Sequence, residues 1–181
     1  MEKAFDLQPI VDYVSKDWIL GPVHGIEHWK RVERNGLLLA TEKVNIKVVR
    51  LFAYLHDHKR INDGWDLEHG QRATENLDNI RRTLLADLTD DEFGMLRRAC
   101  MEHITTRQTG IPTIDACFDA DRLDLPRVGY RPDPIRMASE LGALYAKHNV
   151  VANDCSICYD IVERIKTTCR QPIHLSVSIP G

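Results

Sequence analysis

Apolar residues recur along this chain at steps of three and four, the α-helical period, and this constrains the fold more than any other feature of the sequence. Leu7, Ile10, Val11 and Val14 mark a first helix; a second is expected from Ile26 to Lys43 and a third from Ile46 to Asp57. The segment after Asn62-Asp63-Gly64-Trp65-Asp66 reads as a fourth, with Asp66 as its N-cap. Thr89-Asp90-Asp91-Glu92 is a capping-box pattern that opens a fifth through Phe93, Leu96, Cys100 and Ile104. A shorter helix is expected from Ile114 to Leu125, a break over residues 129–134, and further helices from Ile135 to Lys147 and from Asp154 to Thr168. The last residues, from His174 to Gly181, have an extended pattern too short to define a sheet. The fold class expected is all-α. No repeat, low-complexity tract or flexible linker interrupts the 181 residues, so a single domain is expected.

Charge and composition narrow the function classes. A net charge of −3 argues against broad binding along a nucleic-acid backbone, so any phosphate must be bound locally. The N-terminus lacks the basic start and apolar core of a signal peptide, and no run reaches the length of a membrane span. The expected location is cytoplasmic, with no membrane partner. Cys100, Cys117, Cys155, Cys158 and Cys169 fall in segments that read as helical, which suits reduced, buried thiols. Cys155 and Cys158 form a C-x-x-C with no second pair to complete a zinc site.

The chemistry-bearing residues sit where a core is expected. Of the 8 histidines, His24, His28, His56, His58, His69 and His103 fall between positions 24 and 103. Val49, Phe52 and His56 share one helical face, as do Leu96, Cys100 and His103, so both imidazoles continue apolar stripes. Ile114, Phe118, Asp121 and Leu125 also share a face, while Asp119 points nearly the opposite way. An ionised carboxylate on an apolar stripe requires a cation: an arginine from another helix, or a metal shared with the histidines. Asp57 stands at a helix C-terminus, where the helix dipole disfavours negative charge unless a cation offsets it. Mixed imidazole and carboxylate donors suit divalent metals of the first transition row, and carboxylate with water also admits Mg²⁺.

The order His28, then His56-Asp57, then Asp121 resembles the H…HD…D pattern of the HD-domain metal-dependent phosphohydrolases, a superfamily of compact helical bundles. The stretch from His24 to Val32 resembles the family's first motif, and the run from Asp119 to Asp124 its last, over about residues 20–130; residues 131–181 are left unassigned. The resemblance implies His28, His56, Asp57 and Asp121 as ligands of a divalent metal (Mn, Mg, Fe, Co or Ni), with His69 and His103 as further ligands of a second ion or as contacts to substrate phosphate. It implies hydrolysis of a nucleotide or other small phosphate ester by metal-activated water. Asp57 would orient that water, and Arg60 and His24 are candidate substrate contacts. Arg60 also reads as a solvated loop arginine, and His24 as a loop cap. His58 is expected to point out, and Arg122 with Asp124 to form an ion pair behind or beside the ligands. Relatives that use a pair of irons to activate oxygen, and a non-catalytic regulatory module, are the alternative classes.

Overall fold

The computed structural model describes residues 5–149. Its α-helices are, in chain order, α1 (Gln8–Lys16), α2 (Ile26–Leu38), α3 (Ile46–Leu55), α4 (His69–Ile80), α5 (Asp90–Glu102), α6 (Pro112–Arg122) and α7 (Glu140–His148), with 3-10 turns at Leu125–Val128 and Pro134–Arg136. No strand occurs among the described residues, so the all-α expectation holds. The expected helix from Asp154 to Thr168, the thiols of Cys155, Cys158 and Cys169, and the tail from His174 lie outside the described residues. No described helix is long and apolar enough to cross a membrane.

α3 organises the bundle. Val48, Val49 and every residue from Leu51 to Leu55 are buried, so this helix is apolar nearly all round, and it packs against α1, α2, α5 and α6. Each large side chain it buries contributes about 1.5–3 kcal/mol of transfer free energy. Asn45 caps it by accepting from the Val48 amide, and donates its own backbone N–H to Thr113 on α6 and its side-chain amide to Glu92 on α5. The N-terminus of α3 is thereby fixed, and its C-terminus delivers His56 and Asp57 into the core. α5 opens on the expected capping box, Thr89 and Glu92 satisfying each other's backbone donors. On α4, a Cβ at Gly70 would come within 2.6 Å of the Cys100 carbonyl, so the glycine lets α4 lie against α5 and brings His69 beside His103.

Several expected boundaries move for local reasons. α2 stops at Leu38, not Lys43, because a turn closed by Val44 N–H to Thr41 C=O must lead to the Asn45 cap. The helix expected from Ile135 divides into a 3-10 turn and α7, since Ser139 caps the latter by accepting from Gly142 N–H. Asp66 is not the N-cap of α4: the cap is Glu68, without a side-chain bond, while Asp66 accepts from the Ile61 amide and the Arg72 guanidinium. The competing guanidinium partner is what sequence spacing hides.

Candidate metal centre

His28, His56, His69 and His103 each have Nδ1 committed to an acceptor. His28 Nδ1 lies 2.6 Å from Asp124 Oδ2, His56 Nδ1 3.0 Å from the Phe52 carbonyl and His103 Nδ1 2.8 Å from the Cys100 carbonyl, while His69 Nδ1 bonds the Asp66 carbonyl. Donation from Nδ1 fixes the tautomer and leaves the lone pair on Nε2. Those lone pairs face one another. His28 Nε2 is 3.3 Å from His56 Nε2, and His69 Nε2 is 2.8 Å from His103 Nε2. Two lone pairs meeting at such distances require a cation between them, either a proton or a metal.

Asp57 joins the two pairs. Its Oδ2 is 3.4 Å from His28 Nε2 and 3.6 Å from His56 Nε2, and its Oδ1 is 3.0 Å from His69 Nε2. His28, His56 and Asp57 form one group, and Asp57, His69 and His103 another, each with ligand atoms within 4.8 Å of one another and all buried. Burial alone would raise the Asp57 pKa, but the surrounding His56, His28 and His69 hold it well below the usual carboxylate range. Burial opposes protonation of His28, yet the Asp124 and Asp57 carboxylates outweigh it and raise its pKa. His103, desolvated and facing His56, is pushed down to about 3 and is neutral, the form in which imidazole binds metals.

Asp121 supplies the most direct test of fit. Its Oδ1 is buried without a hydrogen-bond partner among the described residues, although the side chain is 22% exposed overall. That oxygen lies 3.5 Å from His28 Nε2 and 3.7 Å from His56 Nε2, too far for hydrogen bonds. Burial raises the Asp121 pKa, and the neighbouring His56, Arg127 and His28 more than reverse it, so the group is ionised. This buried, charged oxygen, with no hydrogen bond among the described residues, is aimed at two imidazole lone pairs, a geometry that a cation completes. The donor set of imidazoles and carboxylates is one that divalent metals accept. The residues therefore fit a metal, and the buried groups lie close enough together to hold one.

The neighbours of the centre differ from the sequence reading in informative ways. Asp124 does not pair with Arg122. It orients His28 and accepts from Arg31 at 2.7 and 3.1 Å, whereas Arg122 donates to the carbonyls of Thr106, Arg107 and Arg136. Asp119 faces away from the centre as expected but is buried, accepting from Ala138 N–H, Ser139 N–H and the Ser139 hydroxyl. His58 also faces away, but toward α1 and not solvent: its Nδ1 bonds the Leu55 carbonyl at 2.6 Å, and its Nε2 accepts from Asn76, which in turn accepts from Tyr13. Burial pushes His58 down to about 4. His24 is buried just before α2 with Nδ1 3.1 Å from Asp63 Oδ1, and its ring stands edge-on to His28 with centroids 6.1 Å apart. Arg60 lies beyond the end of α3, folded back so that Nη1 is 3.6 Å from Asp57 Oδ1 and 3.1 Å from His69 Nδ1.

Asp124 gives a sharp test. Replacing the acceptor that orients a metal-binding imidazole commonly costs 10–100-fold in metal affinity. Asp124→Asn is expected to weaken metal binding about tenfold while the protein stays folded, measured by competition with a chelating dye. Unchanged affinity would reduce Asp124 to a partner of Arg31.

Comparison of the chain with family models, with curated proteins and with solved structures gave no match, so the fold and the candidate metal centre stand on the residues themselves.

Proposed function

We propose that the chain is an HD-type phosphohydrolase acting on a nucleotide or another small phosphate ester. The observation that carries this reading is the shared carboxylate: Asp57 turns one oxygen to His28 and His56 and the other to His69, an arrangement suited to two ions. A divalent ion held there supplies Lewis acidity to a phosphoryl oxygen and lowers the pKa of bound water toward neutrality. The remaining work falls to the protein. Arg60, pinned by the Asn62 and Gly64 carbonyls at 3.3 and 2.6 Å, presents its guanidinium beside Asp57 to bind a phosphoryl oxygen with little further loss of freedom. Asp63 holds His24 Nδ1, which leaves Nε2, without a hydrogen bond among the described residues, to bond the ester. The burial of His28, His56 and Asp57 keeps bulk water from screening these charges.

The test is phosphate release from nucleoside mono-, di- and triphosphates and a generic phosphoester, by protein loaded with Mn²⁺, Mg²⁺, Co²⁺ or Fe²⁺. Metal-dependent release at least roughly a hundredfold above the chelated protein is expected. The His69 and His103 pair would also suit two irons, which favours the oxygenase reading if the iron-loaded protein consumes dioxygen with an organic substrate and releases no phosphate. Retention of no metal and release of no phosphate would leave a binding module.

A further inference from the structure

The arginines near the centre divide by what neutralises them. Arg31 has Asp124, and Arg72 has Asp66 at 2.6 and 2.5 Å. Among the described residues, neither Arg60 nor Arg127 is hydrogen-bonded to a carboxylate. Their side chains are only 8% and 10% exposed. Arg60 directs Nε and Nη2 to backbone carbonyls, and its Nη1 meets His69 Nδ1, which is already committed to the Asp66 carbonyl. Arg127 does the same from the 3-10 turn after α6, donating through Nε to Val23 C=O at 3.0 Å and through Nη1 to Asp124 C=O at 3.2 Å. Its Nη2 makes no hydrogen bond among the described residues.

Among the described residues, the carboxylates nearest these two guanidiniums are those of the centre. Arg60 Nη1 is 3.6 Å from Asp57 Oδ1 and Arg127 Nη1 is 3.8 Å from Asp121 Oδ1, both beyond hydrogen-bond range. Asp124 Oδ2 lies 3.9 Å from Arg127 but already serves His28 and Arg31. Once cations take up Asp57 and Asp121, both guanidiniums face positive charge with no counter-charge of their own. An anion restores the balance.

Resting on the metal-centre reading above, we infer that Arg127 is a second anion-binding residue, placed beside Asp121 as Arg60 is beside Asp57, and that the pair selects a ligand presenting a tetrahedral oxyanion over a neutral one. The guanidinium is tethered in place by backbone carbonyls and keeps a planar fork for oxygen, so little freedom is lost on binding. The same oxyanion belongs to a substrate's phosphoryl group and to free phosphate, and the two are separated by assay.

Mn²⁺-loaded wild type, Arg127→Gln and Arg127→Lys are titrated calorimetrically with inorganic phosphate, with metal-to-protein ratio and melting temperature measured in parallel. The glutamine variant is expected to keep its metal and lose phosphate affinity by about tenfold or more, and the lysine variant, which keeps the charge without the fork, to fall between. In turnover of any accepted phosphoester, KM should rise by more than kcat falls. Phosphate affinity within about twofold of wild type, at full metal content, would make Arg127 a strut between Val23 and Asp124 and overturn the inference. Loss of metal in the glutamine variant would overturn it too, assigning Arg127 to support of Asp121, as would a loaded wild type that binds no phosphate. Should the glutamine variant fail to fold, the lysine variant decides by the same comparison. Turnover by the wild type with unchanged phosphate affinity in the variants leaves the hydrolase standing without Arg127; Arg127-dependent phosphate binding without turnover does the reverse.

Discussion

Asp57→Asn is expected to empty both halves of the centre at once. The carboxylate serves His28 and His56 through one oxygen and His69 through the other, and asparagine offers one neutral acceptor and an amide that cannot ligate. The metal-to-protein ratio of folded protein should fall well below one. The loss of affinity should exceed the roughly 10–100-fold typical for losing a residue that merely orients a ligand. His69→Ala and His103→Ala, in contrast, should each lower the ratio without emptying the centre, because His28, His56, Asp57 and Asp121 remain. Elemental analysis of the three variants checks the pattern. Full metal content in Asp57→Asn would contradict the shared carboxylate.

Asp121→Asn and Asp119→Asn are expected to separate metal binding from stability, although the two residues are neighbours on α6. Among the described residues Asp121 Oδ1 accepts no hydrogen bond, so its amide variant gives up only the attraction of His56, Arg127 and His28 and should lose metal while the metal-free protein melts close to wild type. Asp119 makes bonds to Ala138 and Ser139 that seat the start of α7, and asparagine can accept but also brings donors into a site made only of donors. That variant should keep its metal and lose about 1–3 kcal/mol, a drop of several degrees in melting temperature. Calorimetric melting of chelated protein, alongside elemental analysis, reads both effects. Equal metal loss in the two variants would remove Asp121 from its assigned place.

Much of this was legible in the sequence because it is local. The period of three and four marks α3 and α6, the Thr89 capping box fixes the start of α5, and the step from Phe52 to His56 points the imidazole inward. The inward face of α6 likewise separates Asp121 from Asp119. Periodicity cannot say what lies on the other side of a helix, however. α6 is buried from Thr113 to Ala120, with Ala138 and Ser139 against its far face, so the residue pointing away from the centre is buried rather than solvated. His58 is hidden in the same way by Tyr13 and Asn76. The roles of Asp124, Asp63 and Arg127 depend on partners 96, 39 and 104 residues distant in the chain, and no local pattern announces them.

Anomalous diffraction at the manganese edge, from crystals of the Mn²⁺-loaded protein, tests the proposed two-ion centre most directly. Two peaks per chain are expected, one among His28, His56, Asp57 and Asp121 and the other among Asp57, His69 and His103, with Asp57 in contact with both. A single peak, or none at these side chains, would contradict it.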